Sequence, residues 1–348
     1  MGYKDKKYSR DLKQQIQTKL EDMLHAGEGT SKREAIQNGT DKDKIFSYNT
    51  YKTYKKHNLY FANYVKENHP ECTTLKKAEK YVSEWLDVRT NQVDKNGKHL
   101  SAWTIQTEAK AINKLFGISP EDENYYTPPQ RRREDIYRSR GETVRDKHFS
   151  EKNNAEFVNF CRGTGCRRNI MEKLEGRDLY TKDQLIKEIE ELKVKDSRTP
   201  AEEKQFTAMR DALKYFPEQD VFIHHRTDKG GRDRYAPIIG PDKDRIVERM
   251  RDTAPNEKVW MHVPKNADIH GYRGDYATRI YKSVARPIDQ IPYDKVNKGT
   301  GRKYQSGVYT CRKDEKGKKL DREAMLLASK ALGHNRIEIV ANNYIRGL

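Results

Sequence analysis

One stretch near the middle of the chain, residues 119–148, limits most strongly how the sequence can fold. It contains the pair Pro128-Pro129, which blocks a helix, followed by three consecutive arginines that are basic and solvated. No strand pattern precedes residue 119, whereas a β-hairpin pattern follows this stretch. We therefore predict a linker at 119–148 between two domains of different architecture.

The first half of the chain has a helical pattern. Residues 8–26 place apolar side chains at helical spacing, and Ser31 with Glu34 forms a capping-box pattern for a second helix. Three or four more helices are predicted between residues 47 and 117. We divide this half into an N-terminal helical segment at 1–45 and a helical domain at 46–118.

The second half, residues 149–348, mixes helices with strands. A charged helical pair is predicted at 182–214, interrupted by SRTPAE. The stretch DVFIHHRTDKGGRDRYAPII predicts a β-hairpin, because two apolar runs flank a Gly-Gly turn. The predicted fold class is an all-α N-terminal part followed by a mixed α+β domain with a small antiparallel sheet.

The charge of the chain indicates a polyanionic partner. Seventy Lys and Arg against 53 Asp and Glu give a formal net charge of +17, spread along the sequence. Nucleic acid is the first candidate, and a membrane surface is disfavoured because no basic amphipathic helix has an aromatic apolar face. The four cysteines are too scattered for a disulfide framework or a zinc site, and no stretch would span a bilayer. We expect a cytoplasmic, nucleoid-associated protein.

Several cations are candidates for contacts with DNA phosphates. They lie in the aromatic helix YKTYKKHNLYFANYVKEN, in the linker and on the hairpin: Lys52, Lys55, Lys56, Arg131, Arg132, Arg133 and Arg232. The alternative is a solvated face, which is the commoner role of such residues.

Five short motifs in the second half could carry chemistry. Arg167 follows a glycine at a helix start, Lys229 occupies the hairpin tip, and His270 with Arg273 shares one helix face. The turn LGH presents His334, and Tyr344 follows ten residues later. Taken singly, each has an ordinary structural explanation: a surface cation, a capping histidine or a packed tyrosine.

Their order along the chain is more specific than any of them alone. TGCRRNIMEKLEGRDL, KGGRDRYAPI, HGYRGDYAT and LGH with a later tyrosine resemble, in this order, the motifs of the tyrosine recombinases, the lambda-integrase-like DNA strand transferases. The resemblance covers the whole second half, which would be the catalytic domain. The helical first half is similar to the family's core-binding domain only in its general pattern.

The resemblance implies a catalytic set and a reaction. The implied catalytic residues are Arg167, Lys229, His270, Arg273, His334 and Tyr344. They would cut and rejoin duplex DNA through a 3′-phosphotyrosyl intermediate, without metal, ATP or any other cofactor, to integrate or excise a phage or mobile element. The expected partners are double-stranded recombination sites, three further copies of the chain in a homotetramer, and an accessory DNA-bending or directionality factor.

The sequence departs from the family pattern in two places. Ile170 stands where the family usually has a glutamate. This difference puts in question how the catalytic side chains are held in place, more than the reaction itself. The segments near 182–214 and 286–325 resemble insertions; the second would contact DNA or a neighbouring protomer, or be an idle loop.

Other functions fit parts of the same sequence. A type IB topoisomerase or a telomere resolvase would use the same site without exchanging partners, and tetramer assembly separates these from a recombinase. A DNA-binding regulator with a relic site would have no use for a positioned phenol. An RNA-binding protein is disfavoured because no aromatic RNA-recognition strand pattern is present.

Overall fold

The computed structural model describes residues 11–131, 149–228, 231–312, 315–334 and 336–345. The chain divides into two compact units, Met1–Asp135 and Ile136–Leu348. The division falls inside the stretch predicted as a linker. Of that stretch, residues 132–148 lie outside the described residues.

The described part of the first unit is helical, as predicted. Its α-helices, joined by a 3-10 turn at Glu79–Tyr81, are α1 (Leu12–Gly27), α2 (Lys32–Gln37), α3 (Tyr48–Asn68), α4 (Leu75–Ala78), α5 (Val82–Asn91) and α6 (Ala102–Phe116).

Side-chain caps fix where several of these helices begin. Ser31, Ser47 and Ser101 each accept a hydrogen bond from the backbone N–H three residues later, which satisfies one of the donors that a helix start leaves unpaired. At the other end of α6, Gly117 takes a left-handed conformation that ends the helix.

One hydrophobic core holds the first unit together. Trp85 meets Phe61 edge to face, with ring centroids 5.4 Å apart. Ile16 and Leu20 of α1 are fully buried in the same core, so α1 packs with the helices of residues 46–118.

A buried charged cluster lies beside this core. Glu108 on α6 has no exposed surface and receives two hydrogen bonds from Arg89, at 3.0 Å and 2.7 Å. His57 Nδ1 lies 3.3 Å from the same carboxylate. Burial raises the pKa of Glu108, but the hydrogen bonds of His57 and Arg89 outweigh it and the net pKa is lowered.

We expect Glu108→Gln to destabilise the first unit. Removing one partner of a buried ion pair leaves the other charge uncompensated, which costs about 3 kcal/mol, or about a hundredfold in amide exchange. Hydrogen exchange of α3, α5 and α6 in the full chain measures this. The exposed Glu67→Gln on α3 is the matched control, and equal exchange in the two variants would contradict the prediction.

The described part of the second unit combines helices with three short sheets. Its elements, besides 3-10 turns at Gly176–Asp178 and Ile288–Gln290, are α7 (Ala155–Thr164), α8 (Arg168–Met171), β1 (Leu179–Thr181), α9 (Lys182–Lys193), α10 (Pro200–Tyr215), β2 (Val221–Asp228), β3 (Arg232–Pro237), α11 (Lys243–Asp252), α12 (Ile269–Val284), β4 (Lys295–Val296), β5 (Lys303–Tyr304), β6 (Val308–Thr310), β7 (Lys319–Asp321), α13 (Arg322–Ala331) and α14 (Ile337–Asn343). The coarse prediction of helices with a small antiparallel sheet is therefore confirmed, as are the helical pair and the hairpin.

The main sheet has the order β1-β2-β3, and both neighbouring pairs are antiparallel. The β2–β3 pairing contains a bulge: His225 pairs with Arg234 but Asp228 pairs with Arg232, so β2 carries one extra residue. Thr227, inside the bulge, has a φ of +43°. The bulge brings Asp228 to the same face as His225, which strict strand alternation would not do.

The predicted insertion near 286–325 contains two small antiparallel pairs, β4–β5 and β6–β7. Cys311 and Leu320, next to and within the second pair, are buried in the core that includes α12, α13 and α14. The residues of β4 and β5 are exposed. The second pair therefore lies against the folded core, whereas the strands of the first pair are exposed.

Two further findings concern the cysteines and the lengths of the helices. All four cysteines are buried, and none forms a disulfide. Within the described residues, no helix combines the length and the apolar character that crossing a membrane would need.

Candidate active site

The first arginine of the site is positioned by a tight turn after α7. Gly165 ends α7 in a left-handed conformation, and a Cβ at this position would overlap the Tyr276 ring. Arg167 then precedes the short helix α8 in extended backbone. Its side chain retains 21% exposure and lines two cavities.

Helix α12 carries His270 and Arg273 one turn apart, as predicted. The Asp268 side chain caps this helix by accepting a hydrogen bond from the Gly271 N–H at 3.0 Å. The segment before α12 is held by Arg168, whose guanidinium donates to the carbonyl oxygens of residues 264, 265 and 267. His270 is exposed, whereas Arg273 is 1% exposed.

The α13–α14 turn presents His334 and leads to Tyr344. Gly333 has a φ of +68°, and a Cβ there would lie 2.6 Å from Arg234 Nη1. The His334 N–H donates to the Ser329 carbonyl oxygen at 2.8 Å, and Ser329 Oγ donates to the His334 carbonyl oxygen at 3.0 Å. Helix α14 packs through Val340 and Ala341, and Tyr344 at its end is 5% exposed.

These elements bring five of the six predicted catalytic side chains together. The Tyr344 ring lies 5.0 Å from the His270 ring and 5.3 Å from the His334 ring, between centroids, and 5.6 Å from Arg273 Cζ. Arg273 donates from Nη1 to the Gly165 carbonyl oxygen and from Nη2 to the Leu332 carbonyl oxygen. Arg273 thus joins the turn that precedes Arg167 to the turn that precedes His334.

Sequence reasoning missed a buried network beside this group. Asp228, 3% exposed, accepts hydrogen bonds on Oδ2 from Arg167 Nη1 and, at 3.0 Å, from Arg234 Nη1. Arg234 Nη2 also contacts His225 Nδ1, while the other ring nitrogen of His225 lies 3.7 Å from Cys166 Sγ. The bulge in β2 creates this arrangement, and the hydrophobic pattern of the strand carries no sign of a bulge.

Burial, together with the concentration of positive charge, lowers the pKa values of three groups in the site. Burial, followed by the charges of Arg273 and Arg167, lowers the pKa of His334 to about 3. Burial also lowers the pKa of Arg234 to about 9, with Arg273 adding to the shift and Asp228 opposing it. Burial and Arg167 lower the pKa of Arg273, which the Tyr344 phenol raises. His334 is therefore neutral at physiological pH.

Two cavities open on either side of Arg167. One, of about 560 Å³, is lined by Arg167, His270 and Arg273, and the other, of about 650 Å³, by Arg167, Arg234 and His334. Three buried atoms of the site, Arg273 Nε, Arg234 Nε and His334 Nε2, have no hydrogen-bond partner among the described residues. An unpaired buried polar group costs about 1–3 kcal/mol, so an anion that pairs with these groups would be bound favourably.

We expect the second unit to lose stability as the pH falls from about 7.5 to about 5.5. The folded pKa of His334 is lowered, and burial lowers that of His225 well below its ordinary value. The unfolded state therefore takes up protons below about pH 6.5 that the folded state rejects, and stability falls with pH. Calorimetric melting should show a shallower pH slope for His334→Gln and an unchanged slope for the exposed His262→Gln; equal slopes in all three proteins would contradict this.

Three predicted site residues cannot be compared with the structure. Lys229, the expected proton donor, and the linker residues Arg132 and Arg133 lie outside the described residues. Ile170, at the position of the usual family glutamate, is 1% exposed and packs in the hydrophobic core. The carboxylate that contacts Arg167 comes instead from Asp228.

The remaining predicted DNA contacts belong to the first unit, except for Arg232 on the hairpin of the second. On α3, Lys52, Lys55 and Lys56 each place the ammonium over a tyrosine ring, at 4.8 Å, 5.7 Å and 5.9 Å from the centroid. Arg131 lies over Trp103. Arg232 is exposed and lines the larger cavity.

Metal ligation and comparison with known proteins add no further assignment. In the part of the chain that the structure describes, no group of three or more His, Cys, Asp and Glu side chains is placed to hold a metal ion. The sequence matches no protein-family model, and no curated protein is significantly similar to it.

Proposed function

We propose that this protein is a site-specific DNA recombinase of the tyrosine recombinase type, which cuts and rejoins duplex DNA through a 3′-phosphotyrosyl intermediate. The observation that carries the proposal is the position of Tyr344, whose ring lies within 5.6 Å of His270, His334 and Arg273. A tyrosine beside two imidazoles and a buried guanidinium suits attack on a phosphodiester better than it suits packing.

The arginines would stabilise the charge that develops on the phosphate. Arg167 and Arg273 would donate to the two non-bridging oxygens, and the buried Nε2 of His334 would add a further hydrogen bond. Arg273 is already held by two backbone carbonyl oxygens, so its orientation costs little when substrate binds.

Side chains of the proposed site would accept and supply both protons that the covalent step moves. The Tyr344 hydroxyl would pass its proton to His270 as its oxygen attacks phosphorus, and the bond from phosphorus to the 5′ oxygen would break. Lys229, the predicted general acid, would protonate the leaving 5′ oxygen. A 5′-hydroxyl of a second strand then reverses the step, and the ester conserves the bond energy, so the reaction needs no ATP.

The charge distribution supports DNA as the partner. The chain carries a formal net charge of +17, and α3 in the first unit presents a row of lysines. Integration and excision of a mobile element, by a tetramer on paired sites, is the role that we propose for this chemistry.

Covalent trapping tests the proposal. Purified protein in EDTA is mixed with random duplexes nicked so that the cleaved fragment diffuses away, and protein–DNA adducts are mapped by mass spectrometry. A 3′-linked adduct on Tyr344 is the expected result, and the trapped sequences would give the recognition site.

Other outcomes would favour other functions. Salt-sensitive DNA binding without an adduct would overturn the proposal in favour of a DNA-binding regulator. An adduct formed by a monomer that relaxes supercoils, with no joining of two DNA partners and no tetramer, would favour a topoisomerase.

A further inference from the structure

Asp228 occupies a special place among the charges of the second unit. Its carboxylate is buried between the guanidinium groups of Arg167 and Arg234, and both donate to the same oxygen, Oδ2. The bulge in β2 gives Asp228 this position. Within the bulge, Thr227 accepts hydrogen bonds from Lys173 Nζ on its carbonyl and hydroxyl oxygens, at 3.1 Å and 2.9 Å. A strained residue held in this way indicates that the position of Asp228 is fixed by its surroundings.

Arg234 extends this contact to the other side of the site. Its Nη1 donates to the Leu332 carbonyl oxygen at 2.6 Å, and the same oxygen accepts from Arg273 Nη2. The chain of contacts therefore runs from Arg167 through Asp228, Arg234 and the Leu332 carbonyl to Arg273. Gly333 packs against Arg234 so closely that no side chain would fit.

We propose that Asp228, together with Arg234, is a positioning residue that holds Arg167 and Arg273 at the spacing needed to bind one phosphate group. The inference rests on the proposed function. It means that a residue of the hairpin strand β2 holds the phosphate-binding arginines in place. Asp228 acts through the arginines and does not touch the substrate.

Electrostatics explains why a carboxylate is needed there. Three guanidinium groups, those of Arg167, Arg234 and Arg273, share a small and largely buried volume, and without a counter-charge their repulsion would push the side chains apart. One buried carboxylate offsets part of this repulsion and leaves a net positive site for an anion. Asp228 is 3% exposed, whereas Arg167 keeps 21% exposure and lines both cavities of the site, so Arg167 stays accessible to a phosphate while it contacts the carboxylate.

The inference is testable because two roles for Asp228 predict opposite changes in the cleavage rate of Asp228→Asn. One role is an anion that competes with the phosphate, and the other is a residue that positions the arginines. If Asp228 were only a competing anion, its neutralisation would free Arg167 and speed cleavage. If it positions the arginines, Asp228→Asn should bind DNA as tightly as the wild-type protein or more tightly but cleave about a hundredfold more slowly. Asp228→Glu, which restores the charge, should recover part of the rate.

The experiment compares these variants with Asp178→Asn on nicked duplex DNA, measuring affinity, adduct formation rate and melting temperature. Asp178 is the matched control, since it is 2% exposed and paired with an arginine, Arg226, outside the site. Cleavage by Asp228→Asn at the wild-type rate or faster, or an equal loss of rate in Asp178→Asn, would overturn the inference.

A second measurement does not depend on catalysis. Arginine-detected NMR of the full chain should show hindered rotation of the Arg167 and Arg234 guanidinium groups; the hindrance at Arg167 should be lost in Asp228→Asn and kept in Asp178→Asn, whereas Arg234 stays held by the Leu332 carbonyl oxygen and His225 in both. Freely rotating guanidinium groups in the wild-type protein would overturn the inference even if DNA is cut. Hindered rotation in a protein that forms no DNA adduct would leave the network intact and overturn only the proposed function.

Discussion

Tyr344→Phe is expected to abolish covalent attachment to DNA while leaving DNA binding unchanged. Phenylalanine keeps the ring that packs between His270 and His334 but removes the only atom that can form the ester. Adduct formation should fall by on the order of 10⁴ or more, because no other group of the site can replace a missing nucleophile.

The measurement is single-turnover adduct formation on nicked duplex DNA, with affinity determined in parallel. Tyr281→Phe is the matched control, since Tyr281 is 6% exposed and belongs to the same core cluster as Tyr344, which is 5% exposed. The control should form adducts normally. Adducts that persist in Tyr344→Phe would assign the nucleophile to another residue.

Much of the fold could be predicted from local sequence signals. The Gly-Gly turn between two apolar runs indicated the hairpin, and Thr199 with Pro200 and Glu202 marks the start of α10 with a capping box that the structure contains. Such signals act over three or four residues, so they survive without knowledge of tertiary contacts. The small pairs β4–β5 and β6–β7 were not predicted, because their strands are two or three residues long.

The candidate site, like the fold, could be predicted from the sequence only in part. Arg167, His270, Arg273, His334 and Tyr344 could be selected because they stand in a recognisable order, and the structure places them together. Asp228 could not be selected, since regular alternation in β2 would have put Thr227 beside His225. Thr227 in the bulge contacts Lys173, which is 54 residues away along the chain, and Asp233 on the neighbouring strand, and neither contact can be read from the pattern of β2 itself.

Buried polar partners are the least predictable part of the site. Gly165 and Leu332 contribute carbonyl oxygens to Arg273, and a backbone carbonyl has no signature in the sequence. The same holds for Arg168, which sequence reasoning left without a role and which anchors the segment before α12. Which arginines bind phosphate and which bind protein is decided by tertiary geometry.

Arg273→Lys is the second substitution for which we expect a large effect. The planar guanidinium reaches the Gly165 and Leu332 carbonyl oxygens together, and still carries a buried Nε without a partner among the described residues. A lysine ammonium is a single point of charge and cannot bridge both carbonyls while donating to a phosphate. The loss of one preorganised donor to a developing oxyanion typically slows the chemical step by about 10² to 10³.

The rate should fall in the chemical step and not in DNA binding, because phosphate contacts elsewhere supply most of the affinity. Single-turnover cleavage at saturating protein measures the step directly, and Arg279→Lys, a half-buried arginine on the same helix, is the control for conservative replacement on α12. If Arg273→Lys cleaves as fast as Arg279→Lys, the guanidinium fork has no catalytic role and Arg273 serves only to join the two turns. If both variants lose DNA binding instead, the effect lies in the packing of α12 and not in the stabilisation of the transition state.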